Sequence, residues 1–174
     1  MSDKRCKISV KSDRIVIESV KTEDAYNYYK GFDEEVTRFQ FDKPFKTVEE
    51  AEDLINNFIE LSYENIDMML NILDKDRNFI GSIEIYGLYR QYPEIGIWIC
   101  KDKRKNGYGE EAIKVLKDFF KDKKHIRGFI YEADIRNESS LALIRKLNGI
   151  KEGFFIVNDF GKELQLEKYK IPIR

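Results

Sequence analysis

A chain of 174 residues fits one domain with room for a substantial core. Lys plus Arg (31) nearly cancels Asp plus Glu (32), leaving a net charge of -1. This excludes the broad positive surface of a nucleic-acid binder, so any anion site must be local.

From the N-terminus, the first twenty residues lack a signal-peptide apolar core, and no apolar run reaches about 18 residues. A soluble cytoplasmic protein with no membrane span is expected. Cys6 and Cys100 stand far apart without a CxxC, which fits reduced thiols rather than a disulfide scaffold. His125, the single histidine, sits in the polar run 121–127 and reads as an exposed loop residue. It supports no His-based zinc site, Ser-His-Asp triad or Cys-His pair, and no metal is expected.

The run 14-RIVIESV-20 predicts a short strand, after which Thr22 is expected to cap a helix through Tyr26, Tyr29 and Phe32. In 47-TVEE-50, Thr47 at the N-cap and Glu50 at N3 form a capping box. The helix it opens carries Ala51, Leu54, Ile55, Phe58, Ile59 and Leu61 at helical spacing. Three strand-like runs follow, at 68–74, 79–88 and 93–100, with links short enough for antiparallel hairpins. Ala112, Ile113, Leu116, Phe119 and Phe120 then share one helical face. A strand at 126–135, a helix from Asn137 to about Leu147 and two strands near 150–158 and 163–171 complete a mixed α/β sheet. No repeat or Pro/Gly/Ser linker divides the chain, so residues 1–174 are read as a single domain.

The most informative stretch is 101-KDKRKNGYGEEA-112, a basic loop that runs through two glycines into a helix. A phosphate loop of the G-x-x-x-x-G-K-[ST] type is absent. Gly107 to Ala112 formally reads G-x-G-x-x-A, with Glu132 or Asp134 about 20 residues further on, as in a dinucleotide fold. That fold runs its strand into the first glycine, whereas six polar residues intervene here after Cys100, and the further β-α units are missing. Two readings stay open. Either Gly107 and Gly109 make a plain solvated turn, or they let the backbone close on an anion at the unpaired N–H groups of a helix start.

Three features together resemble the GNAT superfamily of acyl-CoA-dependent N-acetyltransferases: 94-EIGIW-98, Arg104 to Gly109 as R/Q-x-x-G-x-G/A, and 137-NESS-140 with 146-KLNGIKEG-153. The nearest branch is that of ribosomal-protein N-terminal and spermidine acetyltransferases. The likeness is specific from about Pro93 to Gly153. The chain departs from the pattern at the extra residue in Lys146–Gly149, at Ile150 in place of Phe, and at Ile144, where many members carry a tyrosine. The resemblance implies a single-domain α/β fold with a mixed, mostly antiparallel sheet, a splayed central strand and flanking helices. It implies acetyl-CoA as cosubstrate and a primary amine as acceptor, on a peptide N-terminus, a polyamine or another small amine, with a monomer or homodimer as the working form. Loss of catalysis, leaving a CoA-binding module, is the alternative raised by Ile144 and the altered KLNGI.

On this resemblance the diphosphate is expected at Arg104, Lys105, Asn106, Gly107, Tyr108 and Gly109. The pantetheine arm is expected along Ile99 and Cys100, where a free amide would polarise the thioester carbonyl. Asn137 and Ser140 either contact that arm and its thiol or simply cap a helix. Glu94 is the candidate general base against the reading of a surface strand residue, Glu84 is the weaker one, and Ser140 or Ser139 is the candidate acid. Cys100 is read as inert packing because direct transfer needs no nucleophile. Tyr26, Tyr28, Tyr29, Phe39 and Phe41, with Asp33, Glu34 and Glu35, are expected to make an acidic, aromatic acceptor wall.

Overall fold

The computed structural model describes residues 7–40, 42–159 and 161–173, so the expectations placed on Cys6 and Phe41 lie outside the described residues. The chain runs β1 (Ser9–Lys11), β2 (Ile15–Ser19), a 3-10 turn (Thr22–Asp24), α1 (Ala25–Gly31), α2 (Glu34–Thr37) and α3 (Val48–Tyr63). Then come β3 (Asp67–Asp74), β4 (Phe79–Tyr86), β5 (Glu94–Ile99), a second 3-10 turn (Lys101–Lys103) and α4 (Tyr108–Phe120). The last elements are β6 (Gly128–Asp134), α5 (Glu138–Lys146), β7 (Ile150–Asp159) and β8 (Lys162–Pro172). One sheet takes the order β1-β2-β3-β4-β5-β6-β8-β7. Its neighbours are antiparallel except β5 and β6, which are parallel.

Burial explains why β3 shows no apolar/polar alternation, even its Asn71 being buried. Met68, Leu70 and Ile72 enter a core with Ala112, Ile113 and Leu116 of α4. Met69, on the other face, joins Tyr28 of α1 and Ala51, Ile55 and Phe58 of α3. A strand covered by helices on both faces loses the apolar/polar alternation of a half-exposed one. Trp98 of β5 anchors the second core, with ring centroids 5.7 Å from Tyr28, 5.4 Å from Phe32 and 5.6 Å from Phe79.

Several local readings need correction. Thr22 caps nothing: its hydroxyl donates to Asn56, and Asp24 instead accepts the Lys21 N–H at 2.8 Å. The short α2 was not foreseen, although Asp33 caps it by accepting from Glu35 and Val36. Only half of the capping box at 47–50 forms. Thr47 accepts from Glu50 N–H at 3.3 Å, but the Glu50 carboxylate reaches one residue further back, to Lys46 N–H at 2.7 Å. Strand β1 was also missed, being only three residues long and paired with β2. His125 is exposed, as expected, with Nε2 3.1 Å from the Leu88 carbonyl. Among the described residues no helix is long and apolar enough to cross a membrane.

Candidate active site

The site begins where the sheet comes apart. Parallel strands β5 and β6 share one bridge, Glu94 with Ile130, closed by the Ile130 N–H on the Pro93 carbonyl at 2.9 Å. Past Glu94 they diverge. On its other edge β5 stays in ladder with β4 up to Ile99, and Cys100 N–H donates to the Ile80 carbonyl at 2.8 Å. In an antiparallel ladder alternate residues face the partner strand, so Trp98 and Cys100 turn their amides to β4, while Ile97 and Ile99 turn theirs to the opening. This corrects one expectation: the Cys100 amide is engaged by β4 and cannot serve a pantetheine arm. The open amides belong to Ile97 and Ile99. The Cys100 thiol lies near Gly31 and Trp98, and burial pushes its pKa up to about 11, as suits an inert packing residue.

The opening leads into a cavity of about 1390 Å³ that runs from the glycine loop to the carboxylates on β4 and β5. That is more than one small ligand occupies. At one end, Lys105 (φ 62) and Gly107 (φ 80) take left-handed backbone, which folds the loop back onto the start of α4. Among the described residues no acceptor meets the N–H groups of Arg104 through Glu110. These groups carry the partial positive charge of a 13-residue helix. The residues therefore fit an anionic diphosphate. Gly109 borders the same space, since a Cβ there would meet Leu143 at 3.6 Å and Ile97 at 3.7 Å.

The two acids that follow the glycines would oppose an anion, and both are neutralised. Glu110 pairs with Lys114 at 2.6 Å and Lys146 at 3.4 Å. Glu111 accepts from the Ser12 hydroxyl at 2.5 Å and from Arg14 Nε at 2.7 Å. Arg14 also donates to the Asn106 carbonyl at 3.0 Å and stacks on the Tyr108 ring at 5.0 Å. Sequence reasoning missed Arg14, and no local signal could have found a residue 92 positions from the loop it braces. Arg104, expected to meet the diphosphate, is otherwise engaged: Nε donates to the Ile99 carbonyl at 3.0 Å and Nη1 pairs with Glu35 at 2.7 Å. Lys101 holds the other Glu35 oxygen at 3.0 Å. Asn106 ties its own loop by donating to the Lys103 and Arg104 carbonyls.

At the other end stand Glu84 and Glu94. Glu94 begins β5 at the closing point of the two strands; burial raises its pKa, against Lys168 and Arg90, which lower it. Glu84 lies beside it in the ladder, opposite Gly96. Burial raises its pKa to about 7, opposed by the Ser82 hydroxyl and the Trp98 side chain and reinforced by Asp42. Both carboxylates line the cavity. Glu132, also lining it, is raised by burial and by Glu94, with Lys168 at 3.8 Å.

Asn137 caps α5, its side chain accepting from Ser140 N–H at 3.1 Å, so the capping reading holds for it. Both residues line the cavity. Ser140 Oγ lies 3.4 Å from the hydroxyl of Tyr131, a buried β6 residue absent from the sequence candidates. Ile144 is 1% exposed and belongs to the core. Of the expected acceptor wall, Tyr28, Glu35 and Phe39 line the cavity. Tyr26 is 58% exposed, with Lys30 over its ring, and Asp33 is engaged as a helix cap. Phe32, Phe45, Phe58 and Tyr86, not proposed for the wall, supply more of the aromatic lining. Among the described residues no group of three or more His, Cys, Asp or Glu is arranged to hold a metal ion.

No curated protein sequence matches this chain. Solved structures match over nearly its whole length at low identity. A RimL ribosomal-protein α-N-acetyltransferase in complex with coenzyme A has TM-score 0.84 and 15% identity, over 95% of this chain and 98% of that one. An acetyltransferase from Salmonella typhimurium that modifies the N-terminal serine of a 50S ribosomal subunit protein has TM-score 0.85 and 15% identity, over 96% and 100%. A spermidine N-acetyltransferase from Vibrio cholerae in complex with CoA and spermine has TM-score 0.79 and 17% identity, over 92% and 96%. These likenesses establish the fold. The model of the acetyltransferase (GNAT) domain matches residues 14–149, and with the splayed strand and glycine loop in place the chain belongs to the GNAT acetyltransferase family.

Proposed function

We propose that the protein transfers an acetyl group from acetyl-CoA to a primary amine, by direct attack of the amine on the thioester within one ternary complex. The observation that carries this reading is that three elements open on one cavity: unpaired N–H groups at 104–110, the outward amides of Ile97 and Ile99, and the carboxylates Glu84 and Glu94. The structures of similar fold holding CoA support the placement of the cosubstrate.

The diphosphate rests on the main chain of Arg104–Gly109, with Lys105 adding charge, while the Arg104 guanidinium is shared with Glu35. The arm follows the open edge of β5, and an Ile97 or Ile99 N–H donates to the thioester oxygen as charge develops there. A polyamine nitrogen has a pKa near 10 and a peptide N-terminus one near 8, so either arrives largely protonated at neutral pH and must lose a proton before attack. Glu84 is the general base, its carboxyl poised near 7 and therefore half-ionised at neutral pH. Glu94, whose pKa burial raises against the opposing pull of Lys168 and Arg90, faces the incoming ammonium group from the start of β5. As the C–S bond breaks, Ser140, backed by Tyr131, donates toward the leaving sulfur, which at a pKa near 8.5 needs little help. The acceptor is a peptide N-terminus, a polyamine or another small amine, the class suited to an acidic cavity with aromatic walls.

The test is a panel of N-terminal peptides, polyamines and aminoglycosides with acetyl-CoA, following thiol release. Turnover on at least one class is the expected result. CoA binding with no turnover on any amine would instead leave a binding module.

A further inference from the structure

Glu84 is not held by packing alone. Its Oε1 accepts the Ser82 hydroxyl at 2.8 Å. Ser82 Oγ is in turn 2.9 Å from the Tyr28 hydroxyl, which also lies 3.0 Å from Asn71 Oδ1. Asn71 Nδ2 donates to Asp24 at 2.7 Å. Ser82, Asn71 and Tyr28 are almost wholly buried, at 0%, 1% and 1% exposure. On the cavity side, the other Glu84 oxygen lies close against the bare Cα of Gly96. A Cβ on Gly96 would come within 3.3 Å of Oε2, a contact that the carboxyl would have to yield to.

We infer that Ser82, Tyr28 and Gly96 are positioning residues for Glu84, the two hydroxyls serving it in both of its protonation states and the bare glycine fixing where its free oxygen lies. This rests on the assignment of Glu84 as the base. The reasoning is one of donors and acceptors. With Glu84 ionised, Ser82 donates to it and Tyr28 donates to Ser82. With Glu84 protonated, the first two bonds can reverse and free the Tyr28 proton: the carboxyl donates to Ser82, Ser82 to Tyr28, and Tyr28 to the Asn71 carbonyl oxygen. A hydroxyl both gives and accepts, so Ser82 stays bonded to Glu84 in either state, while Asn71 Oδ1 receives the Tyr28 proton only when Glu84 is protonated. An ammonium group in place of Ser82, which only donates, could serve the ionised state alone. Other titratable groups facing the carboxyl are Tyr86 on the same strand, Asp42 from the segment before α3 and Tyr131 from β6.

The test does not require a known acceptor. Full-length protein carrying 13C-labelled glutamate side chains is titrated by NMR, and Glu84→Gln identifies the Glu84 carboxyl signal. The wild-type midpoint is expected at about 7. Ser82→Ala removes the donor to the ionised form and should move the midpoint up by about one unit, with Tyr28→Phe moving it up by less. Gly96→Ala should change the signal's limiting shift while acetyl-CoA binding persists. If Ser82→Ala fails to fold, Ser82→Cys keeps the packing with a weaker donor and should shift the midpoint the same way. Unmoved midpoints in the serine variants and in Tyr28→Phe would overturn the inference. A Glu84→Gln enzyme that keeps the wild-type pH–rate profile would overturn the base assignment itself, whatever the titrations show.

Discussion

Arg104 and Glu35 form an ion pair of 2.7 Å that joins the glycine loop to α2, with Lys101 on the second carboxylate oxygen. Lys101, and to a lesser extent Arg104, lower the Glu35 pKa, so that carboxylate is ionised at neutral pH and competes with a diphosphate for the same cations. Glu35→Gln should therefore tighten CoA binding several-fold at low salt, measured by calorimetry, and the gain should shrink as salt is added. Unchanged affinity would mean that neither cation reaches the phosphates.

Arg14 braces the loop from behind through Asn106, Tyr108 and Glu111. Arg14→Ala should raise the KM for acetyl-CoA about tenfold, roughly one hydrogen bond to a charged group, while kcat at saturation changes little. A fall in kcat at unchanged KM would put Arg14 in some other role.

A Cβ on Gly109 meets Leu143 and Ile97 at ordinary contact distance, so the fold tolerates one. Gly109→Val should keep the thermal unfolding midpoint close to wild type and abolish CoA binding by filling the approach to the loop. Retained binding in a folded variant would remove the loop from the site.

Glu84→Gln should lower kcat by about 100-fold or more and remove the limb that rises through about pH 7. Stability should move the other way. The folded pKa lies above the unfolded value of 4.5, so stability linked to this group is full below 4.5 and is lost as pH rises through 7. The glutamine variant should match wild type near pH 4 and exceed it by about 1–3 kcal/mol at pH 8, a figure discounted for the carboxyl's contact with the cavity. Denaturant unfolding at the two pH values measures it.

The parts of the fold that could be read from sequence were those written locally. The amphipathic face of α4, the strands from 68 to 100 and the Asn137 cap each depend on neighbours within a turn or a hairpin. The glycine loop was readable because its left-handed turn demands a residue such as Gly107. What stayed hidden depends on distant pairings. Arg14 meets the loop only because β2 passes beside α4. Glu84 is seen to share the cavity with Glu94 only once the ladder sets it against Gly96, and the choice between Ile97 and Cys100 amides turns on a register that no single strand contains. Strand β8, inserted between β6 and β7, is likewise a matter of topology rather than composition.

Because β5 leaves β6 after a single bridge, the middle of the sheet contains an internal border whose ladder groups are as open as those of an outermost strand. At the rim of a molecule such a border invites another chain to pair with it. Here α4 and α5 border it, Gly109 and Leu143 lying beside Ile97, so an extended thread is what suits the space along it. In deuterated water the Ile97 and Ile99 amides should exchange far faster than those of Trp98 and Gly96 on the same strand, and a bound cosubstrate should slow them.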